Sequence, residues 1–317
     1  MAIRESTTDA ACAALKRAAA WADLVEIRAD YIQDLSVGRL LSNKPCPVVF
    51  TLRSREEGGG YAGTEIDRLE TILEASRSGA DYVDVEFSAY WRGILDAVSK
   101  QRVILSYHNF EGTPRSLEPL LESMAASGAG ILKIATRAKR LSDNLVIAQA
   151  LRYAAARQWN LCAVAMGSAG VPSRILGPCW GSWMTFAGLP GSEGTAEGQP
   201  QADEILRQYR VREINGETQL YGVVGKPLGH TLSPLVHNTA FASRGLNALY
   251  LPLEAAGIDD FLEFHAACAL RGASVTIPYK EAACRLARSL SVEANETGAV
   301  NTLVRRESEW HGENTDV

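Results

Sequence analysis

Short apolar runs alternate with amphipathic segments along the first two thirds of the chain. The runs occupy residues 24–28, 48–53, 82–87, 103–108, 131–136, 161–166 and 183–187. Their length and composition are typical of buried β-strands. A weaker eighth candidate is residues 2–6, where Arg4 and Glu5 interrupt the apolar pattern. Strict alternation of strand and helix predicts a parallel sheet, and about eight repeats in roughly 200 residues favour a closed (β/α)8 barrel.

One of the intervening segments shows the helical period clearly. In residues 64–76, the apolar side chains of Ile66, Leu69, Ile72 and Leu73 fall on one face of a helix. Thr64 stands directly before this segment, where its hydroxyl can accept a hydrogen bond from the first turn. The pattern therefore predicts an amphipathic helix that begins just after Thr64.

The pattern changes after the last run of the barrel. A glycine-rich loop (188–199), a closing helix (200–210) and a linker (211–218) are followed by a second alternation of strands and helices. The second alternation comprises strands at 220–225, 248–253 and 273–277, and helices at 233–244 and 258–270. This arrangement predicts a barrel over residues 1–212 and a smaller α/β domain over residues 219–317.

Two residues carry the candidate chemistry of the first domain. Lys133 lies in the middle of an apolar run, where lost solvation is expected to lower its pKa and leave a free amine. A free amine attacks carbonyl carbons, so a Schiff base is one interpretation. The alternative is a structural lysine paired with a carboxylate. His108 ends another run and is the only histidine before residue 230. Together they supply a nucleophile and a proton carrier, which favours the first interpretation.

Ionisable residues collect at the ends of the predicted strands, where active sites of barrels lie. They are Glu26, Arg28, Arg53, Glu86, His108 and Lys133, with Arg174 in the loop after residue 166. Glu26 and Arg28 are two residues apart on a strand, so their side chains share a face and can hold a hydroxylated anion. The alternative for Glu86 is a structural role, in which it forms an ion pair with an arginine.

A formal GxGxxG pattern runs from Gly58 to Gly63. Four charged residues separate it from the preceding strand, and the acidic ones would repel a pyrophosphate, so a dinucleotide site is rejected. A glycine-rich lid that carries Arg53 and Glu57 over the pocket is the preferred interpretation.

Composition narrows the function classes further. The 317-residue chain has a formal net charge of −5 and no basic stripe interleaved with aromatic residues, which argues against nucleic-acid binding. Its six cysteines lack the spacing of a zinc site or a disulfide framework, and we expect reduced thiols in a cytoplasmic protein. The sequence shows no signal peptide, and its longest uncharged stretch (175–192) contains prolines and glycines that argue against a membrane span.

Residues 1–210 resemble the type I 3-dehydroquinate dehydratases. The resemblance is carried by VEIRADYI, FTLRSREEGGGY, SYHNFEGTP, LKIAT, MGSAGVPSRI and a final GQ, in family order. It implies that Lys133 forms an imine with the substrate ketone, that His108 is the general base and then the acid, and that Glu57 assists His108. It also implies substrate contacts and no cofactor; the contact residues are Glu26, Arg28, Arg53, Arg174, Thr195 and Gln199. A class I aldolase-type barrel remains an alternative.

The last loop of the barrel departs from the family pattern. The family usually has Ser, Ala and Pro before GQ, whereas this chain reads Thr195-Ala-Glu197-Gly-Gln199. Thr195 keeps a hydroxyl. Glu197 in place of proline is expected to loosen the loop and to add negative charge near an anionic substrate.

Residues 219–316 resemble the substrate-binding domain of shikimate dehydrogenase, through GKPLGHTLSPLVHN, VTIPYKEAA, GAVNT and GENTD. The resemblance implies that Thr231 and Ser233 hold the substrate carboxylate, that Thr276 and Asn301 reach ring hydroxyls, and that Lys280 and Asp316 form the catalytic pair. The domain order is similar to that of the bifunctional dehydratase–dehydrogenase of plants. In that family an NADP-binding domain follows the NTD segment.

The chain ends one residue after this segment, and the NADP-binding domain is expected to be absent. We therefore expect the second domain to bind shikimate or 3-dehydroshikimate without reducing it. NADP is expected only for a full-length dehydrogenase, and NADP-dependent activity of the full chain is the alternative. The expected partners are these small molecules together with 3-dehydroquinate, and the sequence does not predict the oligomeric state. His237 and His265 are expected to serve packing, and His230 to shape a turn.

Overall fold

The computed structural model describes residues 1–87, 91–192, 194–229 and 231–316. His230, which was expected to shape a turn, lies outside the described residues. Two sheets organise the chain: a seven-stranded sheet in the first part and a six-stranded sheet in the second. The predicted barrel-type sheet followed by an α/β unit is confirmed.

The first sheet is parallel, and its strands pair in chain order. Its members are β1 (Ala2–Ile3), β2 (Val25–Arg28), β3 (Val48–Thr51), β4 (Tyr82–Glu86), β5 (Val103–Asn109), β6 (Ile131–Arg137) and β7 (Leu161–Met166). The strands are short and rich in β-branched residues, which suit a pleated surface covered on both sides.

The segment after β7 differs from the prediction. Residues 183–187 do not form a regular strand, and only Ala2–Ile3 of the weak run at 2–6 is a strand. The segment nevertheless joins the two edges of the sheet, because Trp183 N donates to Leu161 O at 2.8 Å and Ala2 N donates to Ala187 O at 3.1 Å. Side-chain hydroxyls donate hydrogen bonds to backbone carbonyls in this segment, as Ser182 Oγ does to Met184 O. Such bonds compete with the backbone hydrogen bonds of a regular β-strand.

Helices cover the outside of this sheet. They are α1 (Thr8–Ala18), α2 (Val37–Leu41), α3 (Glu65–Arg77), α4 (Trp91–Ala97), α5 (Glu118–Ala125), α6 (Asp143–Ala156) and α7 (Val171–Leu176). Helix α3 begins as predicted, since Thr64 Oγ1 accepts a hydrogen bond from Asp67 N at 3.1 Å, a cap that contributes about 1 kcal/mol. The predicted closing helix is shorter, with a π-helical segment over Glu204–Gln208. Among the described residues, no helix combines the length and apolarity needed to cross a membrane.

The second unit is a mixed sheet with helices. It contains β8 (Gln219–Gly225), α8 (Ser233–Ser243), β9 (Ala248–Glu254), α9 (Ile258–Cys268), β10 (Gly272–Val275), α10 (Lys280–Leu286), β11 (Ser289–Leu290), α11 (Val292–Thr297), β12 (Thr302–Arg306) and β13 (Glu309–Glu313). The sheet order is β11-β13-β12-β10-β8-β9. Strands β8, β9 and β10 run parallel, and β12 runs antiparallel to both of its neighbours.

The interior of the first sheet is layered. Val49, Ile104 and Ile131 form a buried apolar cluster together with the partly buried Leu24, Tyr82 and Met184. Two residues further along each strand, on the same face, the side chains are polar: Thr51 on β3, Ser106 on β5 and Lys133 on β6. The apolar layer thus forms the floor beneath a polar layer at the carboxyl ends of the strands.

Candidate active site

The polar layer opens into a cavity of about 290 Å³. Every residue predicted for the barrel site lines it: Glu26, Arg28, Arg53, Glu57, His108, Lys133, Arg174, Thr195 and Gln199. Strands β2, β5 and β6 carry four of them, Glu26, Arg28, His108 and Lys133, and alternate residues of a strand face the same side. The cavity brings these side chains together, and their individual roles stay predictions.

Lys133 is buried between two carboxylates. Its Nζ atom lies 2.9 Å from Glu26 Oε1 and 3.0 Å from Asp84 Oδ2, and 4.6 Å from the centre of the Phe186 ring. Burial works to lower the pKa of Lys133, but Asp84 and Glu26 outweigh it and raise this pKa above its ordinary value. The expectation of a lowered pKa was therefore wrong, and the resting site holds an ammonium.

Asp84 is a site residue that sequence reasoning missed. Its Oδ1 atom accepts hydrogen bonds from Arg53 Nη2 at 2.8 Å and Ser106 Oγ at 2.7 Å, while Oδ2 faces Lys133. Despite complete burial, Arg53 and Lys133 hold the pKa of Asp84 below its usual value, so it is ionised. The available signal was its position two residues before Glu86 in the same run, which places both side chains on one face.

Arg53 and Glu86 form a second ionic group beside the first. Arg53 Nη1 donates to Ser106 Oγ at 2.7 Å and lies 3.3 Å from Glu86 Oε1. The other oxygen of Glu86 lies 2.6 Å from Arg68 Nη1. Glu86 therefore pairs with two arginines, which is the structural role given above as its alternative. Arg53 contributes positive charge to the cavity, although its guanidinium already contacts Asp84, Glu86 and Ser106.

His108 and Glu57 form a hydrogen-bonded pair in the cavity wall. His108 Nδ1 lies 2.8 Å from Glu57 Oε2. Burial, with the positive charges of Arg53 and Lys133, holds the pKa of His108 well below its ordinary value, so the imidazole is neutral. Burial raises the pKa of Glu57 to about 7, although Arg53 opposes this shift. The pair therefore places a neutral base beside a carboxyl that titrates near neutrality.

Arg174 is the cation that best fits an incoming anion. Its side chain is 2% exposed, and its Nε atom is buried without a hydrogen-bond partner. Within residues 1–87, 91–192, 194–229 and 231–316, no carboxylate lies within salt-bridge distance of it. Burial lowers its pKa to about 10, which leaves it charged at neutral pH. A buried guanidinium without a counterion is well suited to a ligand carboxylate.

The glycine-rich loop is tied to the barrel. Asp30 holds Arg28 through two hydrogen bonds of 2.9 and 2.7 Å, and it also accepts from Gly60 N at 2.9 Å. A Cβ atom at Gly59 would lie 2.1 Å from the carbonyl oxygen of Arg53, so this close approach requires glycine. Arg53 itself lies in the buried polar layer, not in the loop as predicted. The loop delivers Glu57 and Gly58 to the cavity, and of the two only Glu57 has an ionisable side chain.

Two side-chain contacts hold the loop over residues 194–199, which closes the barrel. The Oε1 atom of Gln199 accepts hydrogen bonds from Thr195 N at 2.9 Å and Thr195 Oγ1 at 2.8 Å. Glu197 Oε2 lies 3.0 Å from Arg137 Nη2. Glu197 was expected to loosen the loop, but Arg137 pairs with it and offsets its charge. A ligand contact from Gln199 would come from its amide nitrogen.

Four of the residues predicted in the second unit form two pairs, Lys280 with Asp316 and Thr231 with Ser233. The ammonium of Lys280 donates to the carboxylate of Asp316, and Asn301 Oδ1 accepts from Thr315 N at 3.1 Å. Thr231 Oγ1, on the loop before α8, lies 3.2 Å from Ser233 Oγ at the first residue of that helix. Thr276 follows β10 and donates its backbone N–H to Val224 O at 2.9 Å. The pairing of Lys280 with Asp316 is present, and its role stays a prediction.

Two family models match the chain. The model of type I 3-dehydroquinase matches residues 1–216, and the model of the shikimate dehydrogenase substrate binding domain matches residues 223–303. The first match covers more than half of the chain and includes every residue of the cavity described above.

Individual relatives give the same result. The chain is 37% identical over 307 residues to a chloroplastic bifunctional 3-dehydroquinate dehydratase/shikimate dehydrogenase of Arabidopsis thaliana, with coverage of 93% of this chain and 50% of the relative. It is 38% identical over 192 residues to a 3-dehydroquinate dehydratase of Desulfotalea psychrophila, with coverage of 58% of this chain and 84% of the relative. The chain thus spans half the length of the plant relative.

Solved structures with the same fold include a protein with both a dehydratase and a dehydrogenase part and a dehydratase alone. The dehydroquinate dehydratase and shikimate dehydrogenase from S. pombe AroM is 28% identical with a TM-score of 0.55, and the match covers 99% of this chain and 64% of that one. The 3-dehydroquinate dehydratase of Geobacillus kaustophilus is 28% identical with a TM-score of 0.59, covering 64% and 86%. Because the type I 3-dehydroquinase model matches more than half of its residues, the chain belongs to the type I 3-dehydroquinase family, and a shikimate dehydrogenase substrate-binding domain follows the barrel.

Proposed function

We propose that the barrel removes water from 3-dehydroquinate to give 3-dehydroshikimate through an imine on Lys133. The observation that carries the proposal is the placement of Lys133 and neutral His108 in one cavity with the unpaired Arg174. The ligand carboxylate pairs with Arg174, which sets the ring ketone toward Lys133.

The two carboxylates around Lys133 disfavour the first step of the reaction, the deprotonation of the ammonium, and favour the later formation of the iminium. They favour the ammonium, so Lys133 must lose a proton before its amine attacks the ketone carbon. The carbinolamine then loses water, and the resulting imine is protonated. Because this iminium carries its positive charge where the ammonium was, Glu26 and Asp84 stabilise it. The protonated imine is the electron sink that the elimination needs.

His108 carries the proton through the elimination. Its free ring nitrogen takes a proton from the carbon next to the iminium carbon, and the C–H electron pair moves toward nitrogen to give an enamine. The enamine expels the ring hydroxyl, which leaves as water after the imidazolium returns the proton. Hydrolysis of the conjugated imine releases 3-dehydroshikimate and restores Lys133. One water is lost overall, and the histidine returns to its neutral form.

The proposal is tested by mixing the chain with 3-dehydroquinate and following the ultraviolet absorbance of the conjugated enone. Sodium borohydride added during turnover should inactivate the enzyme and leave a ligand mass on the peptide that contains Lys133. Failure to form the enone would remove the dehydratase assignment. Enone formation with the trapped mass on another peptide would remove Lys133 as the nucleophile.

The Glu57–His108 pair predicts a pH dependence. Above pH 7 ionised Glu57 can only accept a hydrogen bond, so the hydrogen of His108 sits on Nδ1 and Nε2 is free to act as the base. Below pH 7 the protonated carboxyl donates to Nδ1 and leaves the hydrogen on Nε2. We expect kcat/KM to fall below about pH 7, and Glu57→Gln to abolish this limb and lower the plateau about 10- to 100-fold.

Glu56→Gln is the matched control, because Glu56 is the exposed neighbour of Glu57 and lies outside the cavity. Its pH profile should follow that of the wild type. An acid limb near pH 7 that survives in Glu57→Gln would show that another group controls the protonation of the base.

For the second unit, we propose binding of shikimate or 3-dehydroshikimate. The support is the match to a substrate-binding domain and the Lys280–Asp316 pair. Calorimetric titration with shikimate should show binding that Thr231→Ala and Ser233→Ala weaken. Oxidation of NADPH in the presence of 3-dehydroshikimate at an appreciable rate would favour the bifunctional alternative.

A further inference from the structure

A buried carboxylate of the second unit contacts the rim of the barrel. Asp260, in the first turn of α9, is 4% exposed. Its Oδ2 atom accepts from Leu141 N at 2.8 Å, and its Oδ1 atom accepts from Ser142 N at 2.9 Å. Ala256 N of its own unit also donates to Oδ2 at 2.8 Å. The carboxylate is therefore satisfied largely by the backbone of the loop between β6, which carries Lys133, and α6.

That loop is joined to the loop that precedes Arg174. Asn144, at the start of α6, is completely buried. Its Nδ2 atom donates to Leu141 O and to Ala169 O, both at 2.7 Å, and its Oδ1 atom accepts from Ser173 N at 2.9 Å. Ser173 is the residue before Arg174. A continuous set of buried hydrogen bonds thus runs from Asp260 to the backbone that carries Arg174.

A second contact reaches the same loop. Ser168 Oγ donates to Glu254 Oε1 at 2.6 Å, and Glu254 lies at the end of β9 in the second unit. The other carboxylate oxygen of Glu254 accepts from Leu228 N at 3.3 Å. The loop between β7 and α7 is therefore held by the second unit through Asn144 and Asp260, and directly through Glu254.

We propose that Asp260 is a positioning residue for Arg174, so that the second unit sets the geometry with which the barrel binds its carboxylate substrate. The inference rests on the proposed dehydratase function. Arg174 has no carboxylate partner among the described residues, and its Nε atom is unpartnered. The placement of its guanidinium therefore depends on the backbone from which it extends, and a shift of that backbone weakens ligand binding.

The variant Asp260→Asn tests the inference in the full chain. An asparagine has one carbonyl oxygen and one NH₂ group, so one of the two barrel amides that now meet an oxygen would face another donor. We expect the KM for 3-dehydroquinate to rise about tenfold while kcat changes by less than about twofold. The reason is that Lys133 and His108 stand on strands that Asp260 does not contact.

Glu263→Gln is the matched control. Glu263 lies in the same helix and pairs at 2.7 Å with Arg140 of the same barrel loop, and Arg140 Nε also lies 3.6 Å from Asp260 Oδ1. The side chains of Glu263 and Arg140 are about half exposed and their contact involves no loop amide, so this variant perturbs the arginine contact and leaves the amide contacts in place. We expect its KM to equal that of the wild type. If Asp260→Asn and Glu263→Gln raise KM equally, the contact of Asp260 with the barrel loop only stabilises the association of the two units, and the inference fails.

A double-mutant cycle shows whether Asp260 acts through Arg174. In the Arg174→Ala background, Asp260→Asn should change kcat/KM by less than about twofold, since the residue that it positions is gone. An undiminished effect in that background would overturn the inference. If the wild type forms no enone at all, the proposed function fails instead, so the two failures are distinguishable.

Amide hydrogen exchange gives a readout that needs no substrate. Asp260→Asn should speed exchange in peptides covering residues 138–145 and 167–175, and leave peptides of β2 to β4 unchanged. Should Asp260→Asn prove too unstable to purify, Ser168→Ala removes the contact with Glu254 from a solvent-exposed side chain, and its KM is expected to rise about threefold. Unchanged exchange or an unchanged KM in these experiments would contradict the inference.

Discussion

Replacing Lys133 with alanine is expected to lower kcat/KM by about 10⁴-fold or more, because an imine needs an amine and Lys133 is the only lysine among the described residues that line the cavity. The enone assay measures the loss directly. Borohydride treatment with 3-dehydroquinate should no longer add mass to the protein. Lys133→Arg should fail in the same way, since a guanidinium keeps the positive charge beside Glu26 and Asp84 but lacks a nucleophilic amine.

The two variants separate chemistry from folding. Lys133→Ala leaves the buried Glu26 without its ammonium partner and Asp84 with Arg53 alone, which costs stability, whereas Lys133→Arg retains a cation. Lys139→Ala, at an exposed position just beyond β6, is the control and should behave as the wild type. Activity of Lys133→Arg within about tenfold of the wild type would refute covalent catalysis by this residue.

Replacing His108 with alanine is expected to lower kcat by about 10²- to 10⁴-fold, the usual contribution of a positioned general base. The imine can still form on Lys133, so borohydride should trap an adduct that keeps its hydroxyl and is heavier by one water than the dehydrated adduct. Mass spectrometry of the trapped peptide distinguishes the two products.

His311→Ala provides the control for this experiment, because His311 lies on β13 of the second unit, where it pairs with Ser289. Its kcat should match that of the wild type. A trapped adduct in His108→Ala that has already lost water would show that another group moves the proton, and the role assigned to His108 would be wrong.

The charge state of Lys133 shows where sequence reasoning reaches its limit. The apolar run around the residue correctly predicted a buried strand, and burial alone does lower a lysine pKa. The residues that reverse the shift, Glu26 and Asp84, are 107 and 49 positions away in the chain. Only the closing of the sheet brings them to the amine, so local pattern could not give the sign of the shift.

The same limit explains the other differences. Glu197 was expected to loosen its loop because it stands in place of proline, and its ion-pair partner Arg137, 60 positions away, could not be identified from local pattern. The run at 183–187 has the composition of a strand, yet hydroxyls such as that of Ser182 capture carbonyls that a regular ladder would use. Asp260 could be read as a favourable charge at the first turn of α9, and nothing near it in sequence indicates the barrel loop that it contacts.

The layered interior of the barrel limits how this protein can change by insertion or deletion. The floor residues Val49, Ile104 and Ile131 and the polar residues above them share one face of their strands. A single residue gained or lost inside a strand would turn the charged side chains toward the helices and the neighbouring apolar ones toward the ligand. Length variation is therefore tolerated only in the connections, and a deletion scan across β3 to β6 should give insoluble chains at every strand position.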